Sequence, residues 1–228
     1  MTHIADLRDL MPRLQTHPPQ VIFFDAMGTL FGLKQSVGEI YAAIAAAYGV
    51  EVDAERLNQA FYQRFKAAPP LAFGELTLAD LASKEYDWWK TLAQAVFAHS
   101  DRLSCFPDFD AYFNELYHYF ATPDPWQIYP DVVPFLTACQ TAPLSVSVIS
   151  NFDSRLLAIL HQLRLTPYFD RIFISSQCST AKPDRQIFQQ ALNHHQITPA
   201  QAWHIGDSHQ EDYLGAQAVG IQAVLIKR

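Results

Sequence analysis

Cysteine is scarce in this chain of 228 residues, which contains only Cys105, Cys139 and Cys178. Their number is odd and their spacing is not paired, so the sequence predicts neither a disulfide framework nor a zinc ribbon. Such usage fits a reducing compartment, and we expect the protein to be cytoplasmic.

Long apolar runs and clusters of basic residues are also missing. Although 50% of the residues are hydrophobic, no run approaches the roughly 20 residues of a membrane span. Near the N-terminus, Pro12, Pro18 and Pro19 interrupt the apolar stretch that a signal peptide needs. The net charge is −7, and without a Lys/Arg cluster we expect neither nucleic acid nor a membrane as a partner. The oligomeric state is left open.

Short apolar runs that lead into polar residues are the clearest pattern in the chain. The run from Val21 to Phe24 leads to Asp25. Later runs cover 144–149, before Ser150; 171–176, before the loop with Lys182; 202–205, before Gly206 and Asp207; and 223–226. Helical periodicity lies between them. The alternation predicts a Rossmann-like α/β fold whose parallel sheet binds ligands at the carboxyl ends of its strands.

Between Asp25 and Ser150 the strand pattern nearly disappears. Helical spacing replaces it in four patches, at 37–48, 57–65, 78–97 and 109–120. The dense aromatic residues of this insert are expected to form a small helical core. We predict a helical cap domain of residues 33–125 and a core domain of residues 18–32 and 126–228, preceded by an amphipathic lead-in of residues 1–17.

The polar residues at the strand ends form a recognisable set. In chain order they are Asp25-Ala26-Met27-Gly28-Thr29-Leu30, Ser150-Asn151, Lys182-Pro183, and Gly206-Asp207-Ser208 with Asp212. They resemble the four motifs of the haloacid dehalogenase-like hydrolase superfamily, subfamily IA, and the helical insert lies where that family has its cap. The stretch from Ser150 to Leu156 and the adjacent Trp88 and Trp89 further resemble the rhythmically expressed gene 2-like branch.

These residue types suit the hydrolysis of a phosphate monoester. Asp25 can attack phosphorus and form an aspartyl-phosphate, which divides one slow step into two. Two anions need a cation between them, and hard oxygen ligands suit Mg²⁺. The predicted metal ligands are Asp25, the backbone carbonyl of Met27, Asp207 and Asp212.

The remaining site residues are predicted to bind the phosphoryl group. Lys182 and the Ser150 hydroxyl would neutralise or donate to its oxygens, and we count both as catalytic together with Asp25. Loop N–H groups at Gly28 and Thr29 would add donors, with Asn151 beside them. The expected substrate is a small phosphorylated metabolite, and the expected cofactor is Mg²⁺.

One position departs from the family pattern. Phosphatases of the resembled family carry a second Asp two residues after the nucleophile to protonate the leaving group, and this chain has Met27 there. A thioether has no usable proton, and losing a general acid typically costs about 10²- to 10⁴-fold in rate. The sequence therefore leaves two alternatives: a 2-haloacid dehalogenase-type hydrolase in which Asp25 attacks carbon, and a non-catalytic phosphate-binding or regulatory protein. The acidic pair Asp207 and Asp212 favours Mg²⁺ and phosphorus.

Overall fold

The computed structural model describes residues 2–228, and its main element is a parallel sheet. The strands are β1 (Thr2–Ile4), β2 (Val21–Phe24), β3 (Phe31–Leu33), β4 (Trp126–Ile128), β5 (Ser145–Ser150), β6 (Arg171–Ile174), β7 (Ala202–Gly206) and β8 (Gln222–Ile226). Six of these form one sheet in the order β1-β8-β7-β2-β5-β6, with parallel neighbours throughout, while β3 and β4 pair separately. The predicted Rossmann-like α/β fold is confirmed.

The α-helices are distributed along the whole chain and alternate with strands in its second half. They are α1 (Met11–Thr16), α2 (Val37–Ala47), α3 (Ala54–Ala67), α4 (Leu78–His99), α5 (Phe109–Tyr119), α6 (Val132–Gln140), α7 (Arg155–Gln162), α8 (Ser175–Cys178), α9 (Arg185–His195) and α10 (Gly215–Ala218). A π-helical segment, His209–Leu214, precedes α10. None of the helices among residues 2–228 is both long enough and apolar enough to cross a membrane.

Strand β2 lies at the centre of the sheet because its side chains are apolar on both faces. All four of its residues are buried, as expected for a parallel strand that is covered on both sides. Its last residue, Phe24, is in register with Val148 of β5 and Ile205 of β7. The carboxyl ends of these three strands therefore meet at one edge of the sheet.

The chain divides into two compact units. The α/β unit comprises Met1–Gly32, Leu71–Glu75 and Gln127–Arg228, and the helical unit comprises Leu33–Pro70 and Leu76–Trp126. The segment Leu71–Glu75 lies within the range predicted for the cap, yet it packs with the α/β unit. There the buried Ser175 hydroxyl donates to the Leu71 carbonyl at 2.8 Å.

The helical unit has an aromatic core of its own. The rings of Tyr41 and Phe97 are stacked with centroids 6.1 Å apart, and Tyr112 meets Phe97 edge-on at 5.2 Å. Trp88 and Trp89 are partly buried and pack against this cluster. These contacts are those of a packed helical core, in which aromatic pairs prefer offset or edge-on geometry.

The N-terminal lead-in contains three short elements, which are β1, a 3₁₀ helix (Leu7–Leu10) and α1. Residues 2–4 form β1, which pairs with β8. The apolar spacing further along is real, because Leu7, Leu10 and Leu14 are all buried. Pairing along the edge of β8 satisfies backbone groups that a helix at this position would leave exposed on the sheet.

Candidate active site

Asp25 stands immediately after β2, at the edge where three strands end. Its backbone N–H donates to the Ile205 carbonyl at 2.9 Å, which continues the ladder one residue beyond the strand. Asp25 is 7% exposed. Its Oδ1 accepts from Lys182 Nζ at 2.7 Å and from the Ser150 hydroxyl at 3.3 Å. The other two predicted catalytic residues therefore both lie within hydrogen-bond distance of Asp25.

Lys182 connects two of the carboxylates. It is 3% exposed, and its ammonium also donates to Asp212 Oδ1 at 2.5 Å. Asn151 fixes the backbone of the lysine, since its side-chain oxygen accepts from Lys182 N at 2.7 Å and its amide donates to Lys182 O at 2.8 Å. The Asn151 side chain therefore positions Lys182, and its role in substrate binding stays a prediction.

Asp212 is surrounded by donors. Besides Lys182, its Oδ1 is 2.9 Å from His204 Nε2, and its Oδ2 accepts from the Ser208 backbone N–H at 3.0 Å. The π-helical segment carries Asp212 back against the end of β7. A Cβ at Gly206 would overlap with the Asp212 carboxylate, so this close approach requires glycine.

Asp207 lies against the loop that follows Asp25. Gly28 has a φ of +88°, and a Cβ there would collide with the Asp207 carboxylate. The Thr29 hydroxyl donates to Asp207 Oδ1 at 3.3 Å. The backbone N–H groups of Gly28 and Thr29 donate within the loop, to Phe31 O at 2.8 Å and Ala26 O at 3.3 Å. Both residues shape this tight turn and lie beside Asp207, and their role as phosphoryl donors stays a prediction.

The carboxylate oxygens fit a hard divalent cation. One oxygen from each of Asp25, Asp207 and Asp212 lies within 4.8 Å of the others. Lys182 forms ion pairs with two of these three carboxylates, those of Asp25 and Asp212. A set of hard oxygen ligands with excess negative charge is the kind of donor set that Mg²⁺ prefers.

Burial and neighbouring charges shift the pKa values of these three acids. Burial raises the pKa of Asp207 to about 7, and the negative charges of Asp25 and Asp212 add to the rise. Burial also raises the pKa of Asp25, against the opposing effect of Lys182. Burial would raise the pKa of Asp212 too, but the charge of Lys182 and the His204 hydrogen bond hold it below its usual range.

The lysine remains charged in this surrounding. Burial alone would lower its pKa, but the carboxylates of Asp212 and Asp25 outweigh burial and raise the pKa of Lys182 above its usual range. Lys182 is therefore a permanent cation beside Asp25, which suits it to bind an anionic group.

Glu211 is a further acid of the site that the motifs do not mark. It precedes Asp212 directly, and its carboxylate accepts a hydrogen bond from the Asn151 side chain. Burial raises its pKa, and the charges of Asp212 and Asp25 add to this while Lys182 opposes it. Its acidic type next to Asp212 is the only signal in the sequence.

Met27 brings a side chain of a different kind to this loop. The residue is 38% exposed, and a thioether is at most a weak hydrogen-bond acceptor that cannot donate a proton. The position that the family's phosphatases use for an acid is thus occupied by an apolar group.

Comparisons with known proteins agree with the geometry. The family described as haloacid dehalogenase-like hydrolase matches residues 19–220. Haloacid dehalogenase-like hydrolase domain-containing protein 3 of Bos taurus is 36% identical over 207 residues, covering 91% of this chain and 81% of that protein. The Rhythmically expressed gene 2 protein of Drosophila melanogaster is 29% identical over 220 residues, covering 91% and 82%.

A solved structure shares the fold at low identity. An L-2-haloacid dehalogenase superposes with a TM-score of 0.72 and 17% identity, covering 92% of this chain and 84% of that one. The family match spans most of the chain and includes every strand end that carries a site residue. The chain therefore belongs to the haloacid dehalogenase-like hydrolase family, and its relatives include the Rhythmically expressed gene 2 branch.

Proposed function

We propose that this hydrolase is a Mg²⁺-dependent phosphatase that acts on a small phosphorylated metabolite in the cytoplasm. The observation that carries the proposal is the group of Asp25, Asp207 and Asp212, whose oxygens lie within 4.8 Å of one another beside one buried lysine. Carboxylates gathered this closely raise one another's pKa unless a cation lies between them. Such a cation can also bind an anionic substrate.

The chain's own residues can carry out the transfer to Asp25. Lys182 and Ser150 both donate to Asp25 Oδ1, which fixes the carboxylate for in-line attack on phosphorus. The new Asp25–phosphorus bond forms as the bond from phosphorus to the leaving oxygen breaks. Water then attacks phosphorus, which releases phosphate and restores the Asp25 carboxylate.

Mg²⁺ would complete the charge balance of the site. Asp25, the backbone carbonyl of Met27, Asp207 and Asp212 would hold it, directly or through water. Bound there, the ion would supply electrostatic stabilisation of the phosphoryl group. Lys182 would neutralise a further phosphoryl oxygen.

A direct test is hydrolysis of p-nitrophenyl phosphate with Mg²⁺ and with EDTA, followed by a panel of phosphorylated metabolites. We expect turnover that requires Mg²⁺. Hydrolysis that persists at full rate in EDTA would contradict the metal-dependent proposal.

Met27 favours one other chemistry within the family. Attack of Asp25 on the carbon of a 2-haloacid releases halide, which needs no proton, so a thioether at position 27 would cost that reaction nothing. The corresponding test is halide release from 2-chloropropionate in EDTA. Halide release without metal, together with no phosphate release, would replace the phosphatase proposal with this one.

Met27→Asp is expected to change the dependence on the leaving group. If Met27 leaves the phosphatase without a proton donor, the variant should accelerate hydrolysis of alkyl phosphates, within the range of about 10²- to 10⁴-fold that general acids contribute. Hydrolysis of p-nitrophenyl phosphate should change less, because p-nitrophenolate leaves without a proton. The measurement is kcat/KM across a series of leaving groups, with Met27→Asn as the isosteric control that cannot act as an acid. Equal acceleration of all substrates would argue against a missing proton donor.

Mg²⁺ affinity is expected to weaken in acid. The pKa of Asp207 is about 7 without metal, so below pH 7 the ion must displace a proton and above pH 7 it meets an ionised carboxylate. One competing proton predicts an affinity loss of about tenfold per pH unit below the pKa. Isothermal titration calorimetry at pH 6 and pH 8, in buffers of different ionisation enthalpy, should show proton release at pH 6. An equal affinity at both pH values would contradict this.

A further inference from the structure

Arg228 makes an unusually complete set of contacts for a residue that no motif marks. Its Nη1 donates to both oxygens of Asp131, at 2.7 and 2.8 Å. The guanidinium lies over the ring of Tyr129, with its carbon 4.3 Å from the ring centroid. Its side chain is 12% exposed. The fork of N–H groups is thus held on one side by an ion pair and on one face by an aromatic ring.

The other side of the fork reaches the loop that carries the active site. Arg228 Nε and Nη2 donate to the Thr29 carbonyl oxygen, at 3.2 and 2.5 Å. Thr29 is fully buried, so its carbonyl needs a donor inside the protein. The side chain of the same residue donates from its hydroxyl to Asp207 Oδ1. One residue therefore connects Arg228 to Asp207.

Asp131 makes this connection rigid. It is 2% exposed, and its Oδ2 also accepts from the Leu7 backbone N–H at 2.7 Å. The carboxylate is held by the N-terminal segment and by Arg228 together, so it cannot rotate without losing buried hydrogen bonds. Asp131 therefore fixes the guanidinium through Nη1, while Nε and Nη2 donate to the Thr29 carbonyl.

We infer that Arg228 is a positioning residue of the metal site, which it serves by fixing Thr29 and, through the Thr29 hydroxyl, the orientation of Asp207. The inference rests on the proposed function, because it assigns Asp207 to a bound divalent cation. If Arg228 served only to stabilise the fold, its ion pair with Asp131 would be sufficient. The two hydrogen bonds to the Thr29 carbonyl direct the fork at a residue whose hydroxyl donates to Asp207 Oδ1.

The test measures Mg²⁺ affinity by calorimetry in Arg228→Gln, with the exposed neighbour Lys227→Gln as a charge-matched control. Residues that orient metal ligands typically contribute about 10- to 100-fold to affinity. We expect Arg228→Gln to raise the Kd for Mg²⁺ by about tenfold or more, and Lys227→Gln to leave it unchanged. In turnover assays the Mg²⁺ concentration for half-activation should rise, while kcat at saturating Mg²⁺ changes little.

Thr29→Val keeps the inference testable if Arg228→Gln does not fold. It removes only the hydroxyl and retains the carbonyl that Arg228 holds, and it too should raise the Kd. The double variant should be no weaker than the weaker single variant, because both changes break one connection. If the two substitutions raised the Kd by factors that multiply in the double variant, the inference would be overturned. A folded Arg228→Gln with the same Kd as Lys227→Gln would also overturn it, and neither result would affect the proposed function. An unmutated protein that does not bind Mg²⁺ would overturn the proposed function and the inference together.

Discussion

Asp25→Asn should reduce phosphate release by about 10⁴-fold or more, because losing the nucleophile of a covalent mechanism removes the pathway itself. An amide has nearly the same shape as the carboxylate, so it can still accept from Lys182 Nζ at the observed 2.7 Å. It is not a nucleophile towards phosphorus, and it removes a charge that a cation would require. The measurement is kcat on p-nitrophenyl phosphate, together with intact mass after acid quench to detect a phosphoryl adduct in the unmutated protein.

Asp9→Asn is the matched control for that variant. Asp9 is exposed and lies in the 3₁₀ helix Leu7–Leu10. Both variants should have similar thermal unfolding midpoints, because Asp25→Asn also relieves repulsion with Asp207 and Asp212. Phosphatase activity in Asp25→Asn that equals the control would remove Asp25 from the role of nucleophile.

Lys182→Met is expected to impair both turnover and folding. The lysine compensates two buried carboxylates, at 2.7 Å for Asp25 and 2.5 Å for Asp212. Breaking a buried ion pair by removing one partner typically costs about 3–5 kcal/mol. We also expect a decrease of about 10²- to 10³-fold in kcat, the range seen when one preorganised donor to a transition-state oxygen is lost.

Mg²⁺ should separate the two effects of Lys182→Met. A divalent ion that binds only the folded state restores part of the lost stability, so the unfolding midpoint should rise with Mg²⁺ more in the variant than in the exposed control Lys227→Met. Turnover should not recover, since Mg²⁺ cannot replace the ammonium at Asp25 Oδ1. A variant with normal stability and activity would contradict the assignment of Lys182.

The sequence predicts much of the sheet because its strands are short, apolar and followed by polar residues. Asp25, Ser150 and Asp207 could be grouped on that basis alone, since the carboxyl ends of parallel strands share an edge. β1 could not be predicted in the same way. Its three residues have no apolar alternation, and their strand conformation comes from pairing with β8.

The long-range contacts of the side chains in the site could not be predicted from the sequence. The Arg228 fork meets Thr29 across 199 positions and Asp131 across 97, and no local spacing links such residues. Asn151 is similar: its place after β5 predicts a residue near the phosphoryl group, but only the structure shows its amide bound to the Lys182 backbone. Glu211 could not be predicted as a site residue for the same reason, because its contact with Asn151 joins distant parts of the chain.

The segment Leu71–Glu75 limits how this protein could be dissected. Cutting out residues 33–126 and joining the ends would look like a clean removal of one insert, but it would also remove Leu71, whose carbonyl accepts the buried Ser175 hydroxyl. A minimal version of the α/β unit would therefore need a short graft that restores this stretch of chain. Without the graft, engineered fragments should show an exposed apolar surface beside α8 and a tendency to associate.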